Sequence, residues 1–300
     1  MAKHLNDVSP KALERAARKA VAEALASEFP ADPLIGPELS RAISTIASVV
    51  KRHGPTIEQA IAGALVASDR FEVRTNVDLP LVTGARQLLD ARNSDQALAN
   101  IRLSVDSEAD SIVNVDLVVV DPDRGWAGGY QIKRGNGATE HWKRRRIMRD
   151  LQSSRLVLAS YLRKEGYGTI EDVSARVIDY YGASGFPSDI ALTRNQLDEH
   201  FGVPVVATVE TMTAAMSDEL DQALPRLLWP LFESMTDPGN GSPAPNEAVS
   251  KTARTVNAGA EITASGPHKL TGGRVGCRSR QARSWRASSL AYIETPRSTH

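Results

Sequence analysis

In the stretch VNVDLVVVDPDRGWAGGYQIKRGNG, residues 113–137, two apolar runs flank a turn. Three side chains able to do chemistry interrupt them. Asp116 lies in the first run; Gln131 and Lys133, two apart, lie in the second. A carboxylate, an amide and an amine in apolar surroundings have two ways to be stable. They can pair with one another as a cross-strand ion pair, or their oxygens can hold a metal ion with the amine beside it. A carboxylate or ammonium buried without either kind of partner would be expensive.

Strand alternation decides whether the three groups can meet. Gln131 and Lys133 share a face because side chains alternate along a strand. If Val120 and Ala127 close the six-residue loop 121–126, Asp116 lies opposite Gln131. A two-residue slip places it opposite Lys133 instead. Both registers keep the three groups on one face, and a one-residue slip would not. The other face then carries Val115, Leu117, Val119, Tyr130 and Ile132, an apolar set suited to a core. Pro122 and Gly125 in DPDRG supply ordinary turn chemistry.

Elements around the hairpin follow from periodicity. Ser9-Pro10 reads as a helix cap and first turn, with Leu13, Ala17, Val21, Ala24 and Leu25 at helical spacing. A second helix is predicted over 38–51 and is stopped by RHGP. Thr56 and Gln59 then read as a capping box opening a third helix, which ends near Asp69. FEVRTNVDL alternates Phe71, Val73, Thr75, Val77 and Leu79 on one face of a strand. The hairpin strands are predicted over 113–120 and 127–134, followed by a helix over 140–164 and a strand in SARVIDYYG. VPVVATVE is predicted as a strand, and 212–235 as a helix interrupted by Pro225 and Pro230. The order from 56 to 182 is helix, strand, strand, strand, helix, strand: a mixed α/β unit around one sheet.

That order, with Asp on the second strand and Gln-x-Lys on the third, resembles the core of the PD-(D/E)xK nuclease superfamily over residues 56–182. The resemblance implies a restriction-endonuclease-like α/β fold and a metal-dependent DNA endonuclease, or an inert protein of that fold that binds DNA or another partner. It implies Mg²⁺ as cofactor, with Asp116, Glu58 and Gln131 as ligands and Lys133 serving the attacking water. Gln131 stands where most members carry an acid; Gln-x-Lys variants occur in active restriction enzymes and transposon-end nucleases. HWKRRRIMR, residues 141–149, supplies a basic patch; its Lys143, Arg145 and Arg149, with Gln152 further along the same helical stripe, would contact phosphates.

Composition bounds the rest. The chain has 300 residues, is 41% hydrophobic and 24% charged, and has no net charge. The balance hides an asymmetry: residues 251–300 carry nine Lys/Arg and two Asp/Glu. From 237 onward Gly, Ser, Pro, Thr and Arg dominate without period, so 237–300 is predicted to be a disordered basic tail. The expected organisation is a helical N-terminal segment, 1–54, a nuclease-like α/β domain, 55–236, and that tail. A single cysteine, Cys277, excludes an internal disulfide framework, and the six histidines show no metal-ligand spacing. No secretory signal or membrane span is visible, which predicts a cytoplasmic protein without membrane attachment.

Overall fold

The computed structural model describes residues 9–236 except 92, 99 and 106–108. The predicted tail, with Cys277, lies outside the described residues. The elements are α1 (Pro10–Leu25), α2 (Pro37–Val66), β1 (Glu72–Val82), α3 (Thr83–Asp90), α4 (Asp95–Leu98), β2 (Ala109–Asp121), β3 (Trp126–Lys133), α5 (His141–Lys164), β4 (Asp172–Asp179), β5 (Ala191–Leu192), α6 (Arg194–Phe201) and α7 (Val205–Thr236). The architecture is α/β with one five-stranded mixed sheet in the order β1-β2-β3-β4-β5. β1, β2 and β3 pair antiparallel; β4 and β5 continue parallel to β3. The long α5 makes the β3-to-β4 crossover that parallel strands require. No helix among the described residues is long and apolar enough to cross a membrane.

Two apolar cores sandwich the sheet. In the first, Leu13 and Val21 of α1, Ile57 and Ile61 of α2, and Val209 and Met212 of α7 pack on Leu117, Val119, Tyr130 and Ile132. In the second, Leu158 and Leu162 of α5 pack on Val77, Leu79, Val115, Val118 and Val120. The assignments of Val115 and Val77 correct the sequence expectation. Val115 does not share a face with Leu117, nor Val77 and Leu79 with Phe71 and Val73, which belong to the first core. Register is unbroken across this point, with Thr75 opposite Leu117 and Val77 opposite Val115. Between them Asn76 adopts φ 51°, outside the extended region. One residue off the β conformation resets the alternation, so both strands exchange faces at the Asn76–Asp116 rung. Asn tolerates this conformation and β-branched residues do not. Asn76→Gly is therefore expected to unfold within about 0.5 kcal/mol of the parent in urea, and Asn76→Val to lose about 1–2 kcal/mol.

Three further expectations are revised. RHGP does not stop a helix, because α2 runs through Pro55. Val49 and His53 before the proline, and Ile57, Ala60 and Ile61 after it, are all buried. A proline inside a helix costs roughly 3 kcal/mol, whereas each large apolar side chain buried returns about 1.5–3 kcal/mol. Thr56 is accordingly no cap; its hydroxyl donates to the Arg52 carbonyl at 3.0 Å. The 54/55 boundary thus falls inside a helix. VPVVATVE is not a strand either: Val205, Val209, Met212 and Met216 pack as one helical stripe of α7. The hairpin loop is four residues, not six, because Asp121 and Trp126 are still paired.

Candidate active site

The β2–β3 ladder runs from the Asp121–Trp126 pair through Val120–Ala127 to Leu117–Tyr130. The next rung, Asp116 with Gln131, carries no ladder pair, and side chains take over its hydrogen bonding. The Asp116 carboxylate accepts the Ile132 N–H at 2.7 Å. The Gln131 amide donates to the Asn114 carbonyl at 2.7 Å. An acid and an amide are thus placed where two strands part and leave backbone groups open.

Lys133 ends β3 and points into the same space. Its ammonium lies 3.7 Å from Asp116 Oδ2 and donates to Gln131 Oε1 at 3.5 Å and to the Ile132 carbonyl at 3.1 Å. Asp116, Gln131 and Lys133 therefore converge. Glu58 lies in the middle of α2, half-buried, rather than in a first helical turn, and feels the charges of Asp116 and Lys133. Its carboxyl is pushed up to about 7, by burial first and then by the Asp116 charge, with Lys133 opposing. One ammonium faces two carboxylates, and the field is left short of positive charge.

That imbalance is the test of a metal. Among the described residues no group of three or more His, Cys, Asp or Glu is gathered to hold an ion. The donors present are two carboxylates, Glu58 and Asp116, and the neutral amide oxygen of Gln131. This set does not suit zinc, which takes four nitrogen or sulfur-rich ligands, nor a calcium cage of six to eight oxygens. It does suit Mg²⁺, which binds through one or two carboxylates and keeps most of its water.

Glu58 gives a pH signature. A carboxyl raised from 4.5 to about 7 favours the fold in its protonated form. That contribution is complete below the unfolded value and is lost as pH rises through the folded one. Glu58→Gln, which stays neutral, should gain melting temperature over the parent from pH 5 upward and level off above pH 7. A carboxyl-carbon NMR titration should place the Glu58 midpoint near 7.

The basic patch opens α5. His141 to Arg146 crowd the first turns, with no acidic residue in the first turn. Cations at the positive end of a helix dipole are poorly placed unless an anion joins them. Most have partners: Lys143 pairs with Glu140 at 3.3 Å, Arg146 with Asp150 at 3.7 Å and Arg149 with Asp90 at 2.6 Å. Arg144 donates to the Gly185 carbonyl. Gln152 is half-buried. Arg145 is exposed and has no ion pair among the described residues. The predicted stripe thus narrows to Arg145, flanked by the exposed pairs of Lys143 and Arg149, which are weak enough to exchange for phosphate. Trp142 stands 58% exposed at the same end.

Sequence reasoning missed one contributor. Asn114 acts through its backbone carbonyl, which no residue type announces. Comparison with protein-family models, curated proteins and solved structures gives no match.

Proposed function

We propose that this protein is a metal-dependent DNA endonuclease built on a PD-(D/E)xK core. The observation that carries this reading is the convergence of Asp116, Gln131 and Lys133 where β2 and β3 part, with Glu58 within reach of their charges. The order α2-β1-β2-β3-α5-β4, interrupted by the short α3 and α4 between β1 and β2, antiparallel through β3 and parallel from β3 to β4, supports it. Asp116 would be the central Mg²⁺ ligand, with Glu58 and the Gln131 amide oxygen beside it. When bound, Mg²⁺ supplies charge neutralisation at a phosphate and acidifies a water. Asp116 is preorganised by the Ile132 N–H, and Gln131 by the Asn114 carbonyl, so both oxygens are fixed before substrate arrives. Lys133 is positioned to orient the attacking water and to stabilise charge developing on the phosphate. Arg145 would hold the DNA backbone without reading bases.

One observation favours a second reading, an inert DNA-binding protein of the same fold: the Lys133 ammonium already occupies the space between Asp116 and Gln131. A single experiment separates the two. Supercoiled plasmid is incubated with Mg²⁺, with Mn²⁺ and with EDTA, while binding is followed against salt. Cleavage with either ion that EDTA abolishes supports the nuclease; binding without cleavage supports the inert protein. In either case Arg145→Ala should lower the salt slope of DNA binding by about one.

A further inference from the structure

A second group of polar side chains includes none of the four site residues. A cavity of about 220 Å³ opens between α2, α7 and the segment after β3. Val49, Val50, Met216 and Leu220 form its walls, and His53 and Arg134 its polar end. The hydrogen bonds there have one possible direction. Thr213 donates its hydroxyl proton to the Val209 carbonyl at 2.8 Å, so its oxygen must accept from His53 Nε2 at 2.9 Å. His53 Nδ1 is then a bare lone pair, and it accepts from Arg134 Nε at 3.1 Å. Burial, and then the Arg134 charge, hold His53 at about 4, so the ring is neutral near pH 7.

This chain fixes the guanidinium through Nε and leaves Nη1 without a partner. Arg134 Nη1 is buried with no hydrogen-bond partner. The ring of Tyr181 lies 5.8 Å from the guanidinium carbon, and no carboxylate among the described residues pairs with it. Asp179, at the end of the neighbouring strand, is already committed to the Ser184 N–H at 3.0 Å and hydroxyl at 2.8 Å. A half-buried cation without a counter-charge is costly, and an arriving anion would relieve that cost. The planar end of a guanidinium matches a carboxylate, and the apolar walls match an apolar body.

We propose that this cavity is a binding pocket for a small organic carboxylate with a compact apolar body, held end-on by Arg134. The pocket is smaller than the roughly 300 Å³ at which drug-sized sites begin, which limits the ligand to a single ring or a short branched chain. The site is independent of the nuclease reading, because none of its residues belongs to the metal cluster.

The test uses the full chain with three probes, benzoate, benzyl alcohol and inorganic phosphate, followed by ligand-detected NMR and calorimetry. Benzoate should bind saturably, and benzyl alcohol and phosphate each at least about tenfold more weakly. Arg134→Gln should weaken benzoate by about tenfold or more at an unchanged melting temperature. Val50→Trp, at an exposed position on the pocket wall, should also block benzoate and serves if Arg134→Gln does not fold. The proposal is overturned by any of four results: no saturable benzoate binding up to about 10 mM, benzyl alcohol equal to benzoate, phosphate tighter than benzoate, or benzoate binding unchanged in the variants.

Discussion

Asp116→Ala is expected to abolish Mg²⁺-dependent DNA cleavage, by a thousandfold or more, on the order of 4 kcal/mol in barrier height. The carboxylate has two tasks that the substitution removes together. It would be the central ligand of the proposed ion, and it satisfies the Ile132 N–H at 2.7 Å where the ladder ends. Loss of the second task leaves a half-buried donor without a partner, at a cost of about 1–3 kcal/mol in stability. Asp116→Asn separates the two. The amide oxygen still accepts from Ile132, so the melting temperature should fall little, while the charge that would hold the ion is gone. The asparagine variant should therefore be folded, should bind DNA with the parent's affinity in EDTA, and should not cut. If it cuts at the parent rate, Asp116 is a structural clasp and the catalytic assignment is wrong.

How far the sequence alone leads is set by which signals are local. Asp116, Gln131 and Lys133 lie in one hairpin, and of the two registers that keep them on one face, the one with Val120 opposite Ala127 is observed. Their convergence needed only a turn and a period of two. Glu58 is different, because its approach depends on how α2 packs across the sheet, and its raised carboxyl is a property of that packing. The face exchange at Asn76 was hidden for a related reason. A single left-handed residue leaves no mark on a hydrophobic pattern that reads as one strand, and only the two cores reveal that the pattern serves opposite faces.

The two misread helices show tertiary burial overruling local punctuation. RHGP has the composition of a stop, yet buried residues on both sides of Pro55 carry α2 through it. The β-branched run at 203–209 has strand propensity, yet its Val205 and Val209 continue the stripe of Met212 and Met216. The cap of that helix comes from elsewhere: Asp198 of α6 accepts the Val206 N–H at 2.9 Å. A cap eight residues upstream on another helix is not a sequence signature.

Gln131→Glu is the substitution that sets the proposed ion site against the architecture. The amide now donates to the Asn114 carbonyl at 2.7 Å, while its oxygen faces Lys133 at 3.5 Å. A glutamate keeps the oxygen toward Lys133 but brings a second oxygen against the Asn114 carbonyl, where no proton is left to share. Without metal the variant should therefore melt lower, by the equivalent of about 1–2 kcal/mol for a lost hydrogen bond and an unpaired acceptor. With Mg²⁺ the order should reverse. A third carboxylate replaces a neutral ligand, and the Mg²⁺ concentration for half-saturation should fall by about tenfold, or roughly 1.4 kcal/mol. Calorimetric titration with Mg²⁺ and melting with and without the ion measure the two effects separately. A lower melting temperature in EDTA together with unchanged Mg²⁺ affinity would show that Gln131 only ties β3 to β2. Tighter Mg²⁺ binding would place position 131 within reach of the ion, with the natural glutamine giving up metal affinity for its tie to the Asn114 carbonyl.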